Sequence, residues 1–249
     1  MKRHIAGWLA GCVLLAGHLT GCGMETSQRM EVFYDSLRAY KVVSLADGKM
    51  TYDFDRLQEM NPDVYAWLEI PGTGVSYPVL QSPDDDLMYL TTVCDGSTYV
   101  GGSVFTQASY NGTDFTDPVT ILYGNTMQDD TMFGSLQELY SGEGPTENRK
   151  ICVYLREDVR EYMVFAAVPY DDTHILYTYD FSEKYWYTNF FRQIRKIRSI
   201  GAWYDEACAP EYGDSVIILS TSMKDGSPGR YLVMAKLWED SCETDGNPS

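Results

Sequence analysis

Eight short runs rich in β-branched and aromatic residues recur along the chain, at 65–70, 75–79, 99–105, 119–123, 151–155, 162–168, 216–221 and 231–238. Each is bounded by Gly, Pro, Asn or Asp, the pattern of short strands separated by turns. A chain built this way is mainly β, and eight such strands predict a closed barrel, which removes the exposed edges an open sheet would keep. Helical spacing interrupts the strands in four places. In 30–43, Val32, Phe33, Leu37, Tyr40 and Val43 fall on one helical face. A short helix over 54–60 stops at Asn61-Pro62, where proline disfavours helix in the residue before it. The third segment is 131–140. The fourth, 182–199, has Ser182 as its natural N-cap and Trp186, Phe190, Ile194 and Ile197 as its apolar stripe. Arg192, Arg195, Lys196 and Arg198 load its C-terminal half, where cations suit the helix dipole. They read as a solvated helix face rather than a phosphate-binding patch.

The N-terminus adds a second constraint. In MKRHIAGWLAGCVLLAGHLTGC, Lys2 and Arg3 precede an apolar stretch and then small residues, the build of an export signal. The segment Leu19 to Cys22, LTGC, resembles a bacterial lipobox, which implies cleavage before Cys22 and lipid attachment on its thiol. The alternative is an uncleaved membrane anchor. The expected organisation is a lipoprotein signal peptide at 1–21, a polar tether at 22–29, one domain at 30–240 and a frayed polar tail at 241–249. Either form of anchor leaves the domain at the outer face of the cell membrane.

Acids outnumber bases 36 to 19, for a net charge of −17, and loss of the two cations in residues 1–21 lowers it to −19. A surface of that sign repels phosphates, so nucleic acid is excluded as a partner class and the chain reads as a soluble monomer beyond its anchor. Beyond Cys22 the cysteines are Cys94, Cys152, Cys208 and Cys242, none spaced C-x-x-C, and the one histidine is His174. No structural metal is expected from so few ligands. Cys208 precedes the strand at Val216 and Cys242 follows the one ending at Trp238, so hairpin pairing would bring the two together as a disulfide. Cys94 and Cys152 read as buried.

Three blocks carry the chemistry: NPDVYAWLEIPGTGVSYPVLQ (61–81), YGNTMQDDTMFGSLQEL (123–139) and ILSTSMKDGSPGRYLVMAKL (218–237). In order and spacing they resemble the sortase family, class B within it, whose members read close to N-P-D-x-x-G-W-L-x-I-P-x-T, Y-G-H-x-M-x-x-x-x-M-F and T-L-S-T-C followed by an arginine. The resemblance covers roughly residues 30 to 240. It implies an eight-stranded sortase-type β-barrel with N-terminal helices and a class B helix inserted before the last strand pair.

Sortase chemistry uses a cysteine thiolate to attack the carbonyl of a sorting motif, a histidine to protonate the leaving amine, and an arginine to stabilise the carbonyl oxygen. The matching positions here hold Ser222, Asn125 and Arg230. A serine hydroxyl stays protonated at neutral pH unless a base removes its proton, and an amide neither takes nor gives a proton there. The expectation is therefore a catalytically deficient, lipid-anchored sortase-like protein. Arg230, with Thr221, Tyr123 and Met127 beside the altered positions, would bind a sorting-motif peptide or a surface- or pilus-assembly protein. No cofactor is implied. Two alternatives stay open: an active transpeptidase or hydrolase using Ser222 with a non-standard base, and a structural interaction lipoprotein whose groove is unused. Lys224 reads as a solvated loop lysine beside Asp225. His174 reads as a surface loop histidine away from the Tyr123 block. The NGT at Asn111 is a weak glycosylation signal, and the runs at Asp84 to Asp86 and Asp129 to Asp130 read as solvated turns rather than calcium ligands.

Overall fold

The computed structural model describes residues 22–43, 48, 50–142, 144, 145 and 149–238. The expected leader at 1–21, the tail at 241–249 and Cys242 lie outside the described residues. Helix α1 (Cys22–Arg38) begins at Cys22 rather than at Met30, so the expected polar tether is helical. It ends before Val43, because Val42 and Val43 leave the helix for strand β1 (Lys41–Val43), which pairs antiparallel with β2 (Met50–Tyr52). β-branched side chains fit a strand better than a helix end, which corrects the reading of 30–43 as one helix. Helix α2 (Phe54–Met60) forms where expected, capped by the Asp53 carboxylate accepting from Arg56 N at 3.1 Å.

The barrel strands follow: β3 (Val64–Glu69), β4 (Ser76–Leu80), β5 (Val104–Phe105), β6 (Val119–Tyr123), β7 (Lys150–Tyr154) and β8 (Val159–Tyr170). Helix α3 (Leu136–Tyr140) lies between β6 and β7; α4 (Ile175–Thr178) and α5 (Lys184–Ile194) follow β8. The short β9 (Trp203–Tyr204) then adds to the edge of β8, and β10 (Val216–Ser222) and β11 (Arg230–Leu237) complete the set. Their order is β11-β10-β6-β5-β4-β3-β7-β8, and β11 pairs back onto β8 from Arg230↔Tyr170 to Leu237↔Tyr162, closing eight strands into a ring. The eight-stranded barrel, its N-terminal helices and the helix inserted before the last strand pair are thus as expected. Three elements are shorter than their sequence signal. The 99–105 run keeps only Val104–Phe105 as strand, 131–140 keeps only α3, and 182–199 keeps only α5, whose N-cap is Glu183 because Ser182 Oγ instead donates to Asp180 at 2.6 Å.

Two apolar layers hold the ring. Inside it, Trp67 is fully buried, stacks on Tyr52 at 4.1 Å and donates from Nε1 to Ser76 Oγ at 3.0 Å. Burying a side chain of that size contributes about 3 kcal/mol. Outside it, Tyr187, Phe190, Phe191 and Ile194 of α5 pack on Phe165 and Ile218. Strand β10 lies between the layers: Ile217 and Leu219 face inward, Val216 and Ile218 face α5. Burial on both faces explains why this strand reads as a continuous apolar run rather than an alternation.

Candidate functional site

Register brings the three altered-motif positions together. Strands β6 and β10 run parallel with Ser220 opposite Tyr123, and continuing that register two residues past the end of β6 brings Asn125 level with Ser222. Strands β10 and β11 run antiparallel with Ser222 directly opposite Arg230. Cross-strand partners hold their Cβ atoms about 5 Å apart on one face of the sheet. By alternation from Ile218 and Leu232, that face is the outer one, covered further along by α5. The glycine of the YGN block has a packing reason: a Cβ at Gly124 would lie 2.6 Å from the Phe133 ring, so only glycine lets the following turn fold under β6.

Ser222 is exposed at the strand end, and no described residue hydrogen-bonds its Oγ. Its carbonyl accepts from Thr126 Oγ1 at 2.6 Å. Thr126, unremarked in the sequence, also lies 2.6 Å from Thr221 Oγ1, which donates to Gly124 O at 2.7 Å. Thr221 is therefore buried and spent on joining the ends of β6 and β10, and does not line an open groove as expected. Met127 likewise packs toward the inner core. Tyr123 remains on the outer side, its ring 5.5 Å from that of Phe105. Burial pushes its hydroxyl pKa up, and the nearby Arg230 charge pulls it partly back.

Asn125 is half-buried, and its amide nitrogen donates both hydrogens to backbone, to Leu90 O at 2.8 Å and Gly101 O at 3.1 Å. It is a clamp between the end of β6 and the loop that precedes β5. Arg230 is half-buried, and no described residue forms an ion pair or hydrogen bond with its guanidinium. In a chain with 36 acids, a partly desolvated cation left without a carboxylate is free to receive an anionic or carbonyl oxygen.

His174 corrects one expectation. It follows Tyr170, the strand partner of Arg230, by four residues, which puts it at the rim of this face and not away from it. Nδ1 accepts from Tyr177 N at 3.2 Å, capping α4, and Nε2 meets Gln107 Oε1 at 3.1 Å. The ring stands 4.7 Å from that of Tyr110. An acceptor Nδ1 and a donor Nε2 define the neutral tautomer, with no lone pair left for a substrate. Burial first, and the Arg230 charge with it, holds its pKa below the ordinary 6.5.

Lys224 is not a solvated lysine beside Asp225. Its ammonium pairs with Asp130 and, at 2.8 Å, with Glu138, and hydrogen bonds to those carboxylates raise its pKa. A lysine serving as base needs the opposite shift. Burial pushes the Cys94 and Cys152 thiols up to about 12 and 11, so neither supplies a thiolate at neutral pH. Cys208 Sγ lies 3.6 Å from Arg149 Nη2, while its expected partner Cys242 falls outside the described residues. Asn111 is buried, with hydrogen bonds to Asp117 and to the backbone of Val119 and Ile121, which denies it to a glycosyltransferase. Among the described residues no group of three or more His, Cys, Asp or Glu side chains is placed to hold a metal. A cavity of about 230 Å³ between α1 and the turn at 129–132 has none of Ser222, Asn125 or Arg230 in its wall.

No family model matches the chain. Sortase B of Listeria monocytogenes is 27% identical over 235 residues, covering 91% of this chain and 92% of the relative. Among solved structures, sortase B of Bacillus anthracis in complex with AAEK1 superposes with a TM-score of 0.69 at 26% identity, covering 86% of this chain and 98% of that one. A Streptococcus pyogenes class B sortase involved in pilus biogenesis shares the fold with a TM-score of 0.62 at 23% identity, covering 75% and 98%.

Proposed function

Taking this chain as the member of the class B sortase-like family that its relatives and its barrel make it, we propose that it binds a sorting-signal-like peptide without cutting it. One observation carries the reading. Where the family's chemistry calls for a nucleophile and a proton carrier, an exposed hydroxyl stands beside an amide whose hydrogens are both spent on backbone carbonyls, while the arginine opposite stays unpaired. For Ser222 Oγ to attack a carbonyl carbon, its proton must leave as the new C–O bond forms, and the departing amine must gain one as the C–N bond breaks. Asn125 does neither. His174 has its lone pair committed, and Lys224 is already protonated and held by two carboxylates.

Recognition needs none of these transfers. Arg230 holds a peptide carbonyl or carboxylate by charge-assisted hydrogen bonds, Ser222 Oγ offers a second donor, and Tyr123 offers an aromatic wall. The ligand is a sorting-signal segment or a surface- or pilus-assembly protein that carries one. The protein works as an extracytoplasmic monomer, anchored through lipid on Cys22, with Cys208 and Cys242 paired in a disulfide.

The test is calorimetric titration of a sorting-signal peptide into the wild-type chain and Arg230→Ala. Losing a charge-assisted hydrogen bond weakens binding about tenfold or more. Saturable binding that Arg230→Ala reduces by that amount supports the reading. Affinity unchanged by Arg230→Ala sinks it.

A further inference from the structure

Within the insertion that contains α5, one segment differs in charge from its acidic surroundings. From Lys184 to Tyr204 the chain has no Asp or Glu and five cations, within a protein of net charge −17. The inner face of α5 is committed to the outer core through Tyr187, Phe190, Phe191 and Ile194. Lys184, Thr188, Arg192 and Arg195 or Lys196 recur at intervals of three or four on the opposite, exposed face. Arg195 alone of the five finds a carboxylate, Glu206, at 2.6 Å. Arg192 bonds the Asn189 amide and Arg198 bonds backbone carbonyls, while the ammonium groups of Lys184 and Lys196 have no hydrogen-bond or ion-pair partner among the described residues. The helix dipole accounts for cations near the C-terminus and not for Lys184, the first helical residue.

Apolar groups flank these charges. Tyr185 and Trp186 are 67% and 39% exposed at one end, and Ile200 is fully exposed at the other. Exposed aromatic and aliphatic side chains beside unpaired cations match the interface of an anionic bilayer, where rings sit at headgroup depth and ammonium groups meet lipid phosphates. A soluble polyanion would use the cations and leave Trp186 and Ile200 without a role. The acidic remainder does not prevent contact. At physiological salt the Debye length is about 8 Å, whereas eleven helical residues span about 16 Å; Glu183 and Glu206 lie within the shorter distance of Lys184 and Arg195, and the five cations outnumber them.

From this we infer that the exposed face of α5 docks on an anionic lipid surface, a contact separate from the peptide-binding face and independent of whether that face binds.

The test places the full chain on phosphatidylcholine vesicles with or without phosphatidylglycerol, their acyl chains brominated. The readout is the Trp186 share of fluorescence quenching, taken as the difference between wild type and Trp186→Phe. The N-terminal segment, with Lys2 and Arg3, is present in every arm, so the substitutions at Lys184 and Lys196 isolate α5. Quenching is expected with phosphatidylglycerol, and it should disappear in neutral vesicles and at high salt. Lys184→Gln with Lys196→Gln should lower the docked-to-undocked ratio about 25-fold, about fivefold per charge, whereas Lys184→Arg with Lys196→Arg should retain it. These side chains hold no structural contact, so the fold survives either pair. Quenching equal in neutral and anionic vesicles overturns the inference. So does absence of lipid quenching with tight binding of soluble polyphosphate, which would assign the patch to a polyanion.

Discussion

Replacing Asn125 by alanine separates its role as a clamp from any role in chemistry. The amide of Asn125 serves two carbonyls, Leu90 O at 2.8 Å and Gly101 O at 3.1 Å. Gly101 is buried and Leu90 half-buried, so truncation leaves one acceptor dry and one within reach of water. An unsatisfied buried acceptor costs about 1–3 kcal/mol and a water-accessible hydrogen bond about 0.5–1.5 kcal/mol, giving a loss of about 2–4 kcal/mol. At about 2–4 °C per kcal/mol for a domain of this size, Tm should fall by about 5–15 °C in differential scanning calorimetry. Asn125→His should fall between the two, because a neutral imidazole has one N–H where the amide offers two. Asn125→Asp should be worst, having no donor and placing charge against two carbonyl oxygens. A Tm for Asn125→Ala within about 2 °C of wild type, less than the shift one lost hydrogen bond should give, would refute the argument, as would Asn125→Asp no lower than Asn125→Ala.

Ser222→Cys should give a thiol that reacts with iodoacetamide faster than Cys94 or Cys152, since it is exposed opposite an unpaired arginine while burial holds the other two thiols protonated. Combined with Asn125→His it should show weak cleavage of a fluorogenic sorting-signal peptide, and an inert double variant would mean the groove no longer presents a peptide to residue 222. Stability should also fall as pH drops below about 6.5. The unfolded chain takes up a proton at His174 that the folded chain refuses, so the stability is complete above 6.5 and is lost as pH falls toward the depressed folded pKa. Urea titrations at a series of pH values below about 6.5 should show this fall in wild type and a smaller one in His174→Gln. The aspartates whose folded pKa is lowered, Asp205 among them, act at lower pH, because their stabilisation is present above about 4 and fades below it.

The barrel was legible because each of its strands is a short apolar run closed off by turn residues, β10 most plainly. The 99–105 run misled for a local reason. Gly102 has a φ of 51°, and a Cβ there would lie 2.4 Å from Tyr89 O, so the backbone folds back on the 3-10 turn at Met88–Leu90 until Val104. Val42 and Val43 misled because helical spacing does not register that their neighbours pair with 50–52. At the site, the resemblance to the sortase motifs singled out Ser222, Asn125 and Arg230, and the register of β10 and β11 sets Ser222 opposite Arg230. The clamp by Asn125 was invisible because its partners are backbone carbonyls, which carry no residue signature. His174 reaches the site's rim through Gln107, 67 positions away in sequence, and Lys224 was misread because Asp130 and Glu138 meet it across more than eighty residues. Contacts of that span are fixed by closure of the ring and leave no periodicity to read.

Intact-mass spectrometry of the wild-type chain after incubation with a sorting-signal peptide decides the central claim. A chain without a proton carrier beside Ser222 should retain its own mass and leave the peptide whole. A mass increase matching an ester on Ser222, absent from Ser222→Ala, would contradict it.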